Sequence, residues 1–326
     1  MGVTGEQPTR SAHRATLQVV PRSVQDAARE LDEATELSPG AEVFQSKAYE
    51  IVDRIGEGGM GKVFRAYEPN MDRYVALKVL KLDVPEAAQR RFRREAVIAA
   101  NFSHPNLPRV LDVGASEETQ LQWMTMEYLR GRDLGEIIDS GAKVAFPLLV
   151  DMISQTLDAL DYIHTRRIAH CDVKPDNIFV TRDPYNRRIV IVKLIDFGIS
   201  RHMDPDGEVQ REVTGDPRYM APEMTVLDGP VDARTDIYSL GITLYECLTG
   251  VHPFEEWLDV DAHELLRMHC RVQPPMPSTR LDPATRPRLA QAIDEVFGQA
   301  CAKDPAQRFA SAVDMKKAVA GLLDVT

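Results

Sequence analysis

The chain has 326 residues, 44% hydrophobic and 27% charged, enough to bury a large core and divide into two lobes while staying soluble. A net charge of −11 argues against nucleic-acid or anionic-membrane partners. Four widely spaced cysteines (Cys171, Cys247, Cys270 and Cys301) argue against a disulfide scaffold or a zinc site and fit a reducing compartment. No apolar run nears the roughly 18–20 residues that span a bilayer, and the first residues lack the apolar core of a signal peptide. A cytoplasmic location without membrane insertion is the expectation.

Residues 1–46 are rich in Ser, Thr, Gln and Glu and read as a flexible extension with one weak helical stretch, Val24–Leu37. From Tyr49 the texture changes. A strand, Tyr49–Ile55, runs into Gly56-Glu57-Gly58-Gly59-Met60-Gly61 and then into Lys62–Tyr67, which alternates with strand period. A dinucleotide-binding turn would need a helix after the glycines. The alternation predicts a hairpin instead, whose glycines let backbone N–H groups close over phosphates. The next strand, Tyr74–Leu80, puts Ala76 and Lys78 on one face, a small residue to lie against a flat base and an ammonium to reach phosphate.

Asp83 and Pro85 open a helix to about Phe102, with Phe92, Glu95, Ala99 and Phe102 on one face. A glutamate among apolar neighbours needs a partner, and Lys78 is the candidate. The arginines around it (Arg90, Arg91, Arg93, Arg94) read as a solvated face. Strands Arg109–Gly114 and Leu121–Met126 follow, and Glu127–Gly131 reads as a connector into a helical region.

A helix over Phe146–His164 carries Leu149, Ile153, Leu157, Leu160 and Ile163 on one face. Then comes the loop His170-Cys171-Asp172-Val173-Lys174-Pro175-Asp176-Asn177, where Pro175 blocks helix. Strands Ile178–Val180 and Ile189–Ile195 lead to Asp196-Phe197-Gly198. Adjacent strands would bring together the groups that phosphoryl transfer needs. Asp172 can accept a hydroxyl proton, Lys174 can neutralise the moving group, and Asn177 with Asp196 offers the hard oxygens that Mg²⁺ prefers. Beyond Tyr219–Glu223, helices are predicted over Asp232–Leu248 (stopped by Gly250 and Pro253), Val260–His269, Arg286–Ala302 and Ser311–Leu322.

In this order the residues resemble the protein kinase superfamily, most closely the eukaryotic-like (Hanks-type) Ser/Thr protein kinases of bacteria, over about Tyr49–Leu323. The resemblance rests on the Gly56–Gly61 loop, Val75-Ala76-Leu77-Lys78, Glu95, His170-x-Asp172-x-Lys174-x-x-Asn177, Asp196-Phe197-Gly198, Ala221-Pro222-Glu223, Asp236 and Arg308. It implies an α+β bilobal fold: a small antiparallel sheet with one helix (47–129), then a larger, mainly helical lobe (130–326). The activity implied is transfer of the γ-phosphate of ATP, with Mg²⁺ or Mn²⁺, to Ser/Thr hydroxyls of protein substrates, autophosphorylation included.

By the same resemblance, Ile55, Gly56, Gly58 and Gly61 cover the nucleotide, Lys78 holds its phosphates and pairs with Glu95, and Val63, Ala76 and Phe179 sandwich adenine. Glu127 and Leu129 face the adenine edge, Met126 is the gatekeeper and Asp133 lies near the ribose. Asp172 is the base, Asn177 and Asp196 are the metal ligands, Asp236 braces the catalytic loop, and Glu223 pairs with Arg308. No nucleic-acid partner is implied, and a homodimer through the N-lobe is among the partners the family admits.

Two positions depart from the family. Cys171 stands where it usually has Arg, and Asp216 where it usually has Thr. Without that arginine, activity is expected not to need phosphorylation of the stretch 199–217, whose only hydroxyls are Ser200 and Thr214. Asp216 is expected to bond Lys174 and, close to Asp172, to force one carboxyl pKa upward. The result would be a slowed enzyme, faster at higher pH, that Asp216→Thr improves. A nucleotide-binding pseudokinase scaffold is the alternative that Asp216 keeps open.

Overall fold

The structure, a computed structural model, describes residues 49–57, 61–80, 84–115, 121–203, 215–226, 230–258 and 260–325. The expectations for the 1–46 extension, Gly58 and Thr214 lie outside the described residues. The described chain forms two compact units, one of residues up to Pro85 with Asp112–Tyr128, the other of Glu86–Leu111 and everything from Leu129.

The first unit is built on five strands, β1 (Glu50–Glu57), β2 (Gly61–Glu68), β3 (Arg73–Leu80), β4 (Val110–Ala115) and β5 (Gln122–Glu127), in the order β1-β2-β3-β5-β4. β1–β2, β2–β3 and β3–β5 are antiparallel. The register sets Phe64 opposite Leu77 and Ala66 opposite Val75, and all four are buried, so this face carries the core. The alternation leaves Val63, Ala76 and Lys78 on the other face. Gly61 is required by closeness. A Cβ there would lie 2.4 Å from the carbonyl oxygen of Val79.

The second unit is mainly helical: α1 (Glu86–Ala100), α2 (Leu134–Asp139), α3 (Phe146–His164), α4 (Ala233–Thr249), α5 (Ala262–Arg271), α6 (Pro287–Ala300) and α7 (Ala312–Gly321). The predicted apolar face of α3 is the buried one; Leu149, Ile153, Leu157, Leu160 and Ile163 are all core residues. On α1, Phe92, Glu95 and Ala99 are buried as their spacing required. α4 is buried without interruption from Thr235 to Tyr245, so it is the axis around which the other helices pack. It is capped by Asp232, whose side chain accepts from the Arg234 N–H, and ends at Gly250.

Short strands complete this unit. β6 (Gly131–Asp133), β8 (Ile178–Arg182) and β9 (Val190–Leu194) form one small sheet, and β7 (Ile168–Ala169) pairs with β10 (Arg201–His202). The stretch read as a connector is one, with Glu127 ending β5, 128–130 outside any element and Gly131 opening the short strand β6, which leads directly into α2. Three-residue strands and a six-residue helix are too short to show a period, so only their partners reveal them.

Candidate active site

The loop between β7 and β8 is pinned from beneath by α4. Asp236 is fully buried, and its Oδ1 accepts the Cys171 N–H at 2.8 Å. Its Oδ2 accepts the His170 N–H at 2.8 Å and meets His164 Nε2 at 2.7 Å. Burial pulls its pKa upward, but the bond to His164 and the donors from His170 outweigh that and hold the carboxyl below its usual range. Held this way, Cys171 adopts φ 67°, a left-handed conformation that a side chain rarely takes without such support.

Past this turn the reactive groups converge. Asn177 Nδ2 donates to Asp172 twice, to Oδ2 and to the backbone oxygen, each at 2.8 Å. Lys174 Nζ lies 3.0 Å from Asp172 Oδ2. His170 joins this loop to the next one, because its Nδ1 accepts the Asp172 N–H at 3.2 Å while Nε2 meets the Ile195 carbonyl at 3.0 Å. The β8–β9 register sets Ile178 opposite Leu194, and the Ile195 N–H donates to the Asn177 carbonyl at 2.9 Å. Asp196, the next residue, therefore comes up beside Asn177. Phe197 anchors that turn, its ring 4.9 Å from His170 and 5.3 Å from Phe102.

These residues fit a hard divalent cation. Asn177 commits its amide nitrogen to Asp172, so the carbonyl oxygen is the end left to ligate, and Asp196 supplies a carboxylate. Among the described residues no group of three or more His, Cys, Asp or Glu could hold a metal alone. A sparse oxygen set suits a cation that shares its ligands with substrate phosphates.

Asp216 departs from expectation. It lies 3.7 Å from Lys174, but its main partner is Arg218. Arg218 Nε and its backbone N–H each donate to Oδ1 at 3.0 Å, and Nη2 donates to Oδ2 at 2.7 Å. Burial raises the Asp216 pKa, but the bonds from Arg218 and the nearby Lys174 more than offset it and hold this carboxyl below its usual value. One of the two neighbouring carboxyls is expected to shift upward; at Asp216 the shift is downward.

The other assigned residues divide between the units. In the first, Val63 faces Lys78 across β2–β3 and Ala76 faces Met126 across β3–β5, with Glu127 ending β5. Gly56 and Ile55 lie on β1, and Ile55 is exposed. In the second, Glu95 is buried on α1, Leu129 precedes β6, and Asp133 pairs with Phe179 across β6–β8. The Asp133 carboxylate also caps α2, accepting the Glu136 N–H at 2.8 Å. Cys171 is buried, and burial drives its thiol pKa far above the usual thiol value, so it is no reactive thiol. Ser200 is buried as well, with its hydroxyl 3.4 Å from the His170 carbonyl. Sequence reasoning missed His164 and Arg218. The signal for His164 was a polar residue four beyond Leu160, on the buried stripe of α3.

Glu223, just beyond this segment, is locked to Arg308 by bonds of 2.7 and 2.8 Å. Arg308 also donates to the carbonyls of Ala302, Arg234 and Lys303. An antiparallel sheet with a close-set glycine strand, a helical unit, paired aspartate turns and this arginine lock together define the protein kinase fold. The chain belongs to the protein kinase domain family, which matches it over residues 49–319. Members of this family use ATP and a divalent metal ion.

The serine/threonine-protein kinase pkn3 of Myxococcus xanthus is 38% identical over 275 residues, covering 82% of this chain and 48% of its own length. The serine/threonine-protein kinase PknB of Mycobacterium tuberculosis is 35% identical over 278 residues, 83% of this chain and 42% of its own. The chain thus spans less than half the length of these relatives. The crystal structure of the PknI kinase domain of Mycobacterium tuberculosis matches with a TM-score of 0.65 at 29% identity, covering 88% of this chain and 99% of that one.

Proposed function

We propose that the chain is a Ser/Thr protein kinase that transfers the γ-phosphoryl group of ATP to Ser or Thr hydroxyls of protein substrates, itself included. The observation that carries this is the convergence of Asp172, Lys174 and Asn177 on one loop, with Asp196 beside them. In this reading Asp172 orients the substrate hydroxyl and accepts its proton. The hydroxyl oxygen bonds to the γ-phosphorus as the β–γ bridge breaks, and ADP leaves. Lys174 neutralises charge on the moving group. Asn177 and Asp196 would hold Mg²⁺, or Mn²⁺ in its place, which screens the phosphate charges. By the family pattern, Lys78, Val63, Ala76, Met126 and Glu127 of the first unit serve the nucleotide, as do Glu95, Phe179, Leu129 and Asp133 of the second.

Lys174, two residues past the aspartate, and the names of the relatives support Ser/Thr rather than Tyr as acceptor. The boundaries 1–46, 47–129 and 130–326, and an N-lobe homodimer, remain part of this proposal. Wild-type protein and Asp172→Asn are incubated with radiolabelled ATP, Mg²⁺ and a generic protein substrate. The wild type transfers label and the variant loses about 10²–10⁴-fold in rate while still binding nucleotide. Equal transfer by both removes Asp172 from its role, and transfer by neither leaves a nucleotide-binding scaffold.

A further inference from the structure

Four charged side chains alternate in sign across the site: Asp172, Lys174, Asp216 and Arg218. Lys174 is shared unequally, at 3.0 Å from Asp172 and 3.7 Å from Asp216. The inequality follows from Arg218, which occupies both oxygens of Asp216 with its guanidinium and adds its own N–H. A planar fork of this kind is directional, whereas the ammonium of Lys174 is a point charge that goes where negative charge is least satisfied. Gly215 sets the turn, since its φ of 139° suits glycine and a Cβ there would press to 2.9 Å from Met220 Cε.

We propose that Arg218 is a positioning residue: by holding Asp216 it lets a carboxylate stand where the family pattern usually has a threonine, and keeps Lys174 beside Asp172. Without Arg218 the cluster would hold two carboxylates and one ammonium, and Lys174 would be drawn toward Asp216 and away from the transferring group. Asp216 is an ionised anchor rather than a defect, provided that Arg218 is present. The inference rests on the kinase reading above for its catalytic consequence, but its geometry does not.

The groups facing Asp216 are Lys174 and Arg218 directly, Asp172 across Lys174, Asp176 beside Arg218, and His252 and His269 behind the segment. The test uses the full chain in four forms, wild type, Arg218→Ala, Asp216→Thr and the double variant, each checked for folding by thermal melting. Arg218→Ala lowers kcat about tenfold with the KM for ATP unchanged. Asp216→Thr alone, which strands the arginine, recovers less than the double variant, which returns to wild-type kcat or above. Arg218→Lys restores part of the loss. The ¹³C carboxyl titration of Asp216, assigned by loss of its signal in Asp216→Asn, moves up by about one pH unit or more in Arg218→Ala.

That titration is read whether or not phosphate is transferred, so it separates failure of this inference from failure of the kinase reading. The inference is overturned if the Asp216 titration stays in place, if the loss in Arg218→Ala falls on the KM for peptide alone, or if the double variant is as slow as Arg218→Ala.

Discussion

Asp236 and Asp216 are both aspartates beside the same loop, yet they serve it by opposite means. Asp236 has no exposure and three donors, two of them backbone N–H groups of the loop itself. Asp216 keeps 15% of its side chain exposed and is matched by Arg218 at 44%. A buried carboxylate has no water to fall back on, so its partners are obligatory and the loop's shape depends on it. A half-exposed pair can be loosened by water and salt, so it adjusts charge without setting the shape. The His170–Asn177 loop is thus held by geometry from below and faced by balanced charge from the side.

The comparison is tested most severely by Asp236→Ala, which strands two backbone donors and His164 in the interior. We expect a loss of about 3–5 kcal/mol in a urea melt and a fall of about a hundredfold in phosphoryl transfer as Asp172 shifts. The same melt on Arg218→Ala should show about 1–2 kcal/mol, the equivalent of the rise in the Asp216 pKa. Similar losses in the two variants would erase the distinction.

Acid should tell the two regions apart. The segment carrying Asp216 and Arg218 rests on His252, whose Nε2 donates to the Arg218 carbonyl at 2.8 Å while Nδ1 accepts the Phe254 N–H at 3.1 Å. Protonating Nδ1 would set two donors against each other. His269, bonded to Tyr238 at 2.9 Å, lies against the same rings. Burial depresses the His252 pKa to about 4, and burial with His252 nearby depresses that of His269 to about 3. Both are below the unfolded value near 6.5, so the unfolded chain takes up protons first and stability falls as pH drops below 6.5. Each histidine should cost about 2 kcal/mol by about pH 5. His252→Gln, which keeps the Nε2-side donor without the titration, should remove about half of that slope in melts from pH 7 to 5. An unchanged slope would exclude His252.

The smallest effect belongs to a pair far from either aspartate. Lys316 on α7 bonds both oxygens of Asp158 on α3, at 2.6 and 2.7 Å, but the partners are 38% and 42% exposed. Lys316→Ala should cost about 0.5 kcal/mol, less at high salt. A cost above about 2 kcal/mol would show that short distance outranks burial here.

Much of the architecture could be read from local pattern. The apolar spacing from Leu149 to Ile163 marked α3 from Phe146 to His164, and alternation after Gly61 marked β2 as a strand. β6, α2, β7 and β10 escaped because two to six residues carry no period, and their partners lie far along the chain.

The sequence by itself determined the reactive set. Asp172, Lys174 and Asn177 lie on one loop, and Asp196 follows two residues after the neighbouring strand, so short-range geometry brings them together. Tertiary structure decided which of the competing partners two of the charges took. Asp216 had two cations in reach and took Arg218, and Asp236 recruited His164 from a helix 72 residues away. Composition cannot rank such competitors. The winner is settled by tenths of an ångström, by the forked shape of a guanidinium against a point-like ammonium, and by how much water each pair still sees.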